Sequence, residues 1–511
     1  MKLFIIFSII TCFCQLLSFS NGRSVPNNVG ASAPEQVKAV NLGGWLVTEG
    51  WIKPSLFDGI INKDLLDGTG VQFQSVKVGK YLSAEGGGGT ITVVPTASSS
   101  ESFRLWRINE TTFNFRASTG RFVGLNTTGN GKDIVVEAEE PGAAETFQIL
   151  RNPNDLNRVR VRAPNGLFLQ VKEKDESVSA DYEGDGGWKD DDSSVFSIKF
   201  GRILQGEYQV TNGYGPLIAP QVMKEHWSTY IVEDDFKFIK ENGLNAVRIP
   251  VGWWIASDPS PPKPYVPGSL QALDNAFSWA EKYDIKVIID LHAAPGSQNG
   301  AEHSSSRDGS QEWGLTDNNI QQTVGVIEFL AARYANSSSL YAMELINEPM
   351  SPGVSLDNLT KYYQAGYDAV RKHSQTAYVV MSNRLGSSFE PTELFSFANR
   401  LEGSVIDVHY YPYYNTSLNN VTVERYIEYI NNDEAEKVRQ LTTSNGPPIF
   451  VGEWVAEWQL TNTSKEDYQR YAAAQLEVFG RAQFGWAYWT LKNVNIHWSL
   501  EWMINNGYIK L

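Results

Sequence analysis

The sequence predicts an α/β fold, a (β/α)8 TIM barrel whose first βα loop is interrupted by an inserted all-β domain. Two patterns carry that prediction. Over most of the 511 residues, short apolar runs alternate with helical stretches, the rhythm of a parallel sheet with crossover helices. Between about residues 71 and 200 the rhythm stops, and a threefold repeat of short alternating strands replaces it. Length agrees, because a chain of this size is too long for one ordinary domain and long enough for two good cores.

The first element is a leader. Lys2 precedes an apolar run over 3–17, and small or polar residues follow at 18–22. That is the layout of a secretory signal, and its apolar run is too short for an ordinary spanning helix. Residues 1–22 are expected to be removed and the protein exported without a membrane anchor, since residues 505–511 offer no lipid-anchoring tail. Cys12 and Cys14, the only two cysteines, fall inside the leader. The mature chain is therefore expected to carry neither disulfides nor thiolate chemistry. Seven Asn-x-Ser/Thr sequons, at Asn109, Asn126, Asn336, Asn358, Asn415, Asn420 and Asn462, suit a secretory route.

The barrel is expected to begin within 23–66, with a first strand at 40–47. The inserted domain then takes 67–202. In it Gly79-Lys80-Tyr81-Leu82, Gly120-Arg121-Phe122-Val123 and Gly166-Leu167-Phe168-Leu169 repeat one pattern, with starts 41 and 46 residues apart. Each repeat leads into a strand opening with Phe103, Phe147 or Phe196. Units of this length cannot bury their apolar faces singly and are expected to close on one another. Tyr81, Phe122 and Phe168 occupy equivalent positions and are expected in the shared core.

The rest of the barrel fills 203–511. Its strands are expected at 246–249, 286–291, 341–345, 377–381, 405–408, 448–451 and 485–488. Helices are expected between them at 233–241, 270–282, 320–334, 359–372, 423–440 and 465–479. An open doubly wound sheet would call for a Gly-rich phosphate turn after the first strand, and there is none. An insertion in a βα loop would emerge on the C-terminal face, where barrels of this kind carry their sites.

A hydrophobic fraction of 42% with 20% charged residues suits a soluble globular chain. The formal net charge of −15 argues against nucleic acid, whose phosphates it would repel. Polar residues fall at the ends of nearly every expected strand. Arg248 ends the second, and His292 follows the third. Asn347 and Glu348 follow the fourth, His409 and Tyr411 the sixth, Glu453 the seventh and Trp489 the eighth. Glycosidic cleavage needs two carboxylates on different strands, one to protonate the leaving oxygen and one to attack or to activate water. Glu348 and Glu453 are that pair. Asn347 beside the acid would hold a sugar 2-OH, and Arg248 would keep a neighbouring carboxylate ionised. Glu344 and Glu457 are read instead as solvated surface charges. No cofactor is called for, and the scattered histidines show no metal-ligand spacing.

These residues resemble a known family. Asn347-Glu348-Pro349, Asp290-Leu291-His292, the run 243–250 and Val451-Gly452-Glu453-Trp454 are similar to glycoside hydrolase family 5 of clan A. The run 41–47 with Glu49 and Trp51, His226-Trp227-Ser228-Thr229 and the run 294–300 resemble its glucan exo-1,3-β-glucosidase branch. The inserted repeats resemble a fascin-like β-trefoil, an arrangement of plant members. The resemblance implies Glu348 as acid/base and Glu453 as nucleophile, with Asn347 on the sugar beside the acid. It implies His409 and Tyr411 near the carboxylates, Arg248 and His292 as orienting groups, and Trp489 as a platform under the sugar. Glu49 would contact the terminal sugar and close the site into a pocket, with Trp313 and Tyr414 as aromatic walls of its entrance. Fungal relatives carry disulfides and lack the insertion, so this chain departs from them at the entrance.

The expected reaction is hydrolysis of a β-glucan or oligosaccharide by double displacement, with transglycosylation open to the same intermediate. Rival readings are an endo-acting β-glucanase or β-mannanase of the same fold, a non-catalytic wall-binding protein, and a cytoskeletal cross-linker suggested by the repeats alone.

Overall fold

A computed structural model of the chain describes residues 35–511, apart from 86–88, 130, 185–186 and 387–389. The leader lies outside the described residues. Eight parallel strands close into a barrel. They are Val37–Asn41, Ala246–Gly252, Lys286–Ala293, Leu340–Glu344, Tyr378–Ser382, Ser404–Tyr410, Ile449–Trp454 and Gly485–Tyr488. Each pairs with the next in chain order, and the first also pairs with the eighth, Val40 lying between Val247 and Tyr488.

The first strand ends six residues earlier than 47. Gly43 and Gly44 follow it, and Gly44 at φ +72° sits in the left-handed region that turns the chain out of the sheet. Trp45 and Val47, read from sequence as strand, are buried in turns instead. Several other strands run further than expected. His292, His409 and Glu453 therefore lie within their strands rather than after them, and Arg248 lies inside its strand rather than at its end.

The helix Glu207–Thr229 was not expected from sequence. Gly213, Gly215, Pro216 and Pro220 disguise it, and the helix does break at Gly215, where φ is +71° and ψ 172°. Elsewhere the apolar spacing was a sound guide. Glu233–Glu241 and Lys465–Phe479 form where that spacing is regular. Ser464 starts the latter with a capping box to Asp467.

Between the first and second barrel strands the chain builds an antiparallel sheet from Gly70–Ser75 to Phe196–Phe200. These two strands pair with each other, Phe73 opposite Ile198. The inserted domain thus leaves beside the point where it enters. Its core is separate from the barrel's and holds Phe73, Leu82, Phe115, Val123, Val161, Leu169 and Phe196. Gly79, Gly120 and Gly166 all have φ between +77° and +86°. A left-handed turn is thus the reason for the repeated glycine. The core residue of each repeat is Leu82, Val123 or Leu169, one place after the aromatic that the sequence suggested. Side chains alternate across a strand, so Phe122 and Phe168 face the other way, beneath Arg116, Arg160 and Arg162 at 4.9–5.8 Å. Tyr81 is only half-buried.

Candidate active site

Register brings the polar residues together. Asn41 lies beside Arg248, Asp290 beside Glu344, and His409 beside Glu453 on neighbouring strands. At the centre is Arg248, fully buried. Its Nε and Nη2 donate to the two oxygens of Glu344 at 2.7 and 3.0 Å. Nη2 also donates to Asn347 Oδ1 at 2.8 Å, and Nη1 to Asn41 Oδ1 and Glu453 Oε1, both at 3.0 Å. Asp290 lies 3.1 Å away. A buried guanidinium needs such a ring of acceptors, because each unpaired charge would cost several kcal/mol. Glu344 is thus a buried anchor of Arg248 and not the solvated charge read from sequence. Glu457 is likewise engaged, accepting from the Tyr468 hydroxyl at 2.8 Å and lying 3.0 Å from His497.

The two expected glutamates share His409, whose Nδ1 lies 3.5 Å from Glu453 Oε2, but otherwise have different neighbours. Glu453 Oε2 accepts from the Tyr411 hydroxyl at 2.6 Å. Glu348 Oε1 lies 2.6 Å from His409 Nδ1, whose Nε2 is 3.0 Å from Asp407 Oδ2. Glu348 Oε2 lies 3.2 Å from His303 Nε2. One carboxylate oxygen from each glutamate and Nδ1 or Nε2 of His409 lie within 4.8 Å of one another. That closeness would also suit a cation, but both carboxylates are already bonded within the protein. Glu348 itself has φ +47°, a left-handed conformation that a non-glycine residue adopts at a cost. Its N–H donates to Ser382 Oγ at 3.2 Å.

Charge follows from this packing. Burial would raise Glu348, yet hydrogen bonds from His303 and His409 and their charges hold it well below the usual carboxylate range. His409 is raised well above the ordinary imidazole range, burial being outweighed by Glu453, Asp407 and Glu348. Burial keeps His292 low despite Asp290. Burial also pushes Glu49 up to about 8, although His303 and the Trp51 indole N–H, at 2.9 Å, oppose it. Glu344 is driven up by burial and by Asp290 and Asp407, against the pull of Arg248.

Among the other expected residues, Trp489 is 3% exposed and its ring stacks on His292 at 5.4 Å. Tyr414 is 66% exposed, its ring 5.8 Å from that of Tyr411. Trp313 corrects the reading from sequence. It is fully buried, bonded through its indole N–H to Thr323 and packed edge-on against Tyr362, so it cannot wall an entrance. The family resemblance implied otherwise, but the helix Asp317–Tyr334 claims its ring through Thr323. Sequence reading also missed Asp407, His303 and Trp498, whose ring stacks on Tyr411 at 5.8 Å. Asp407 stands two residues before His409 on one strand, the same face by period, and that spacing could have revealed it.

Residues 212–495 match the family described as Cellulase (glycosyl hydrolase family 5). The chain belongs to glycosyl hydrolase family 5. It is a glycoside hydrolase. Residues 62–200 match a domain of unknown function, DUF7910. A protein of Emericella nidulans described as "Probable glucan 1,3-beta-glucosidase A" is 32% identical over 342 residues, 59% of this chain and 82% of that one. A "Glucan 1,3-beta-glucosidase" of Schwanniomyces occidentalis is 32% identical over 347 residues, 59% of this chain and 78% of that one. Among solved structures, rutinosidase from Aspergillus niger superposes with a TM-score of 0.52 at 22% identity. It covers 59% of this chain and 88% of its own, and it supports the family's barrel fold.

Proposed function

We propose that this family 5 enzyme is a secreted retaining β-glycosidase that releases single sugars from the ends of β-linked glucans or gluco-oligosaccharides, with Glu453 as nucleophile and Glu348 as acid/base. The carrying observation is two carboxylates, Glu453 in the seventh strand and Glu348 just beyond the fourth, with oxygens within 4.8 Å and mostly unlike partners. Retaining enzymes hold their carboxyl groups about 5–5.5 Å apart, inverting ones roughly 6.5–9.5 Å. The close approach favours retention. Unlike environments favour unlike roles. Glu453 faces a hydroxyl and a fixed cation, as suits an attacking carboxylate. Glu348 is bracketed by imidazoles, as suits a group that gives and takes a proton.

In the first step the Glu453 carboxylate attacks the anomeric carbon while Glu348 protonates the departing oxygen. In the second, Glu348 as base draws a proton from water, and the hydroxide equivalent displaces Glu453 with a second inversion. Asn347 Nδ2 has no protein partner and can take up a sugar hydroxyl beside Glu348. Glu49 would meet the terminal sugar from the pocket's closed side. At neutral pH it is a carboxylic acid able to donate. The names of the relatives support a β-1,3-linked glucan, with β-1,4 linkages as a further candidate.

The catalytic barrel would comprise 23–66 and 203–511, interrupted by a fascin-like β-trefoil at 67–202. Its own core and its three equivalent glycine turns support that division. Export is supported by the leader's layout and by sequon asparagines that are all at least partly exposed. No helix among the described residues is long and apolar enough to cross a membrane.

The test follows product size over time from β-1,3- and β-1,4-linked glucose oligomers, with wild type and Glu453→Ala. Glucose alone should appear from the first turnovers, and the variant should release none. Early products longer than glucose would favour the endo-acting reading instead.

A further inference from the structure

The loop after the third barrel strand turns one side to the two glutamates and the other to the inserted domain. On the first side stands His303, its Nε2 3.2 Å from Glu348 Oε2. On the second side the loop is gripped. The carboxylate of Asp308, 2% exposed, accepts from the Trp106 indole N–H at 2.7 Å and from Arg116 Nη1 at 2.9 Å, with Arg104 3.6 Å away. Trp106, Arg104 and Arg116 all belong to the inserted domain's strands Phe103–Arg107 and Thr112–Arg116. The Arg307 guanidinium lies 3.8 Å over the Trp106 ring, and its Nε donates to Asp67 at 2.9 Å. Arg202, at the domain's exit, donates to Gly300 O at 3.1 Å. Both flanks of His303 are therefore held from outside the barrel's own strands.

We propose that His303 stores the proton that Glu348 delivers to the leaving oxygen, and that the inserted domain, by gripping Asp308, positions His303 to do so. This rests on the acid/base reading of Glu348. Transfer from Nε2–H to Oε2 turns an imidazolium–carboxylate pair into a neutral imidazole and a carboxylic acid. The acid's proton passes to the glycosidic oxygen, which keeps the electron pair of the broken C–O bond. The bared Nε2 then has a donor at hand, since Asn299 Nδ2 lies 2.9 Å from it. Glu348 later takes one proton from the attacking water and returns it to Nε2, which closes the cycle.

The acids facing His303 favour a charge on it, while the Asn299 amide favours the bare Nε2 left after transfer. The groups facing it are Glu348 and Asn299, the His292 ring at 5.2 Å, and the acids Glu49 and Glu453. Burial resists a charge on His303, but the hydrogen bond and charge of Glu348, helped by Glu49 and Glu453, raise it to about 9. The same contact holds Glu348 low. The pair thus favours the proton on the imidazole, one hydrogen bond from where it is used, with the Asn299 amide turning away while Nε2 carries it.

The experiment is the pH dependence of kcat/KM on a β-linked gluco-oligosaccharide, with the full-length protein. The variants are His303→Asn, Asp308→Ala, Trp106→Phe and the double variant of His303→Asn with Asp308→Ala. Wild type should lose activity on the alkaline side near 9, where His303 gives up its proton. In His303→Asn that limb should move to lower pH by about one unit or more. Asp308→Ala and the milder Trp106→Phe should move it the same way by less. The double variant should go no further than His303→Asn, because both act through one group. An unmoved limb in His303→Asn overturns the proposal. Clamp variants that lower the plateau but leave the limb in place overturn the domain's part in it. Glu348→Ala separates failure of the underlying reading. It should lose about 10²–10⁴-fold on a poor leaving group and far less on an activated aryl glycoside. Equal activity on both would remove the acid/base role, and the proposal with it.

Discussion

At the scale of single residues, the site is a contest between burial and pairing that pairing wins at Arg248, Glu348 and His409 and burial wins at Glu49, Glu344 and His292. Arg248 is the fixed cation around which Glu344, Asp290, Asn347 and Glu453 are arranged. Tyr411 contributes one hydroxyl to Glu453, and burial with the charge of Glu453 keeps that hydroxyl protonated. A hydrogen bond to a charged group is worth about 1.5–3 kcal/mol. Tyr411→Phe should therefore lower kcat/KM by roughly 10- to 100-fold with the fold intact, measured by initial rates beside a thermal melt. Unchanged rates would mean that the hydroxyl does not serve the reaction. Much of this site was legible in the sequence because period-2 strands aim alternate residues at one mouth. Glu348, Glu453, Asn347, Arg248, His292, His409 and Tyr411 all lie in that one network. What escaped was set by tertiary packing. Glu344 reads as a surface charge from sequence because nothing local shows that Arg248 reaches it from another strand. Trp313 is a wall only by family resemblance, and the helices that bury it, through Thr323 and Tyr362, are separate elements that no local pattern links to it.

At the scale of elements, the barrel strands were legible from their apolar runs, while their ends were not. Gly44 ended the first strand early, and Arg248 lay deep inside a strand that continues to Gly252. The helix Glu207–Thr229 was hidden by its own glycines and prolines. In the inserted domain the repeated glycines were the readable signal, but the core partner beside each was displaced by one residue. Gly166 isolates the turn's contribution. An added Cβ there meets nothing within 4 Å, so only the backbone conformation at φ +84° is penalised. Gly166→Ala should cost about 1–2 kcal/mol in denaturant unfolding. Val123→Ala, which opens the core, should cost a similar amount for a different reason. A neutral Gly166→Ala would show that the left-handed turn is not needed.

At the scale of the whole molecule, the junction between barrel and inserted domain carries buried carboxyls that make stability depend on pH. Glu207, on the first helix after the domain, is pushed by burial from about 4.5 to about 7 despite its bonds from Thr48. Between those values it is protonated when folded and ionised when unfolded. Its contribution to stability is thus complete below about 4.5 and is lost as pH rises through about 7. Glu49, raised to about 8, acts with the same sign. Glu207→Gln should remove roughly 3 kcal/mol of the fall in unfolding free energy across that window. An unchanged pH slope would mean that Glu207 is ionised in the folded protein.

If Glu453 and Glu348 work by double displacement on a β-linked sugar, the released sugar keeps its anomeric configuration. Proton NMR of the first sugar released from a β-1,3-linked gluco-oligosaccharide, recorded before mutarotation, distinguishes the anomers. Double displacement gives β-glucose first, with the α anomer appearing only later as the product equilibrates. α-Glucose as the first product would mean a single inversion by water, and Glu453 could not then be the nucleophile.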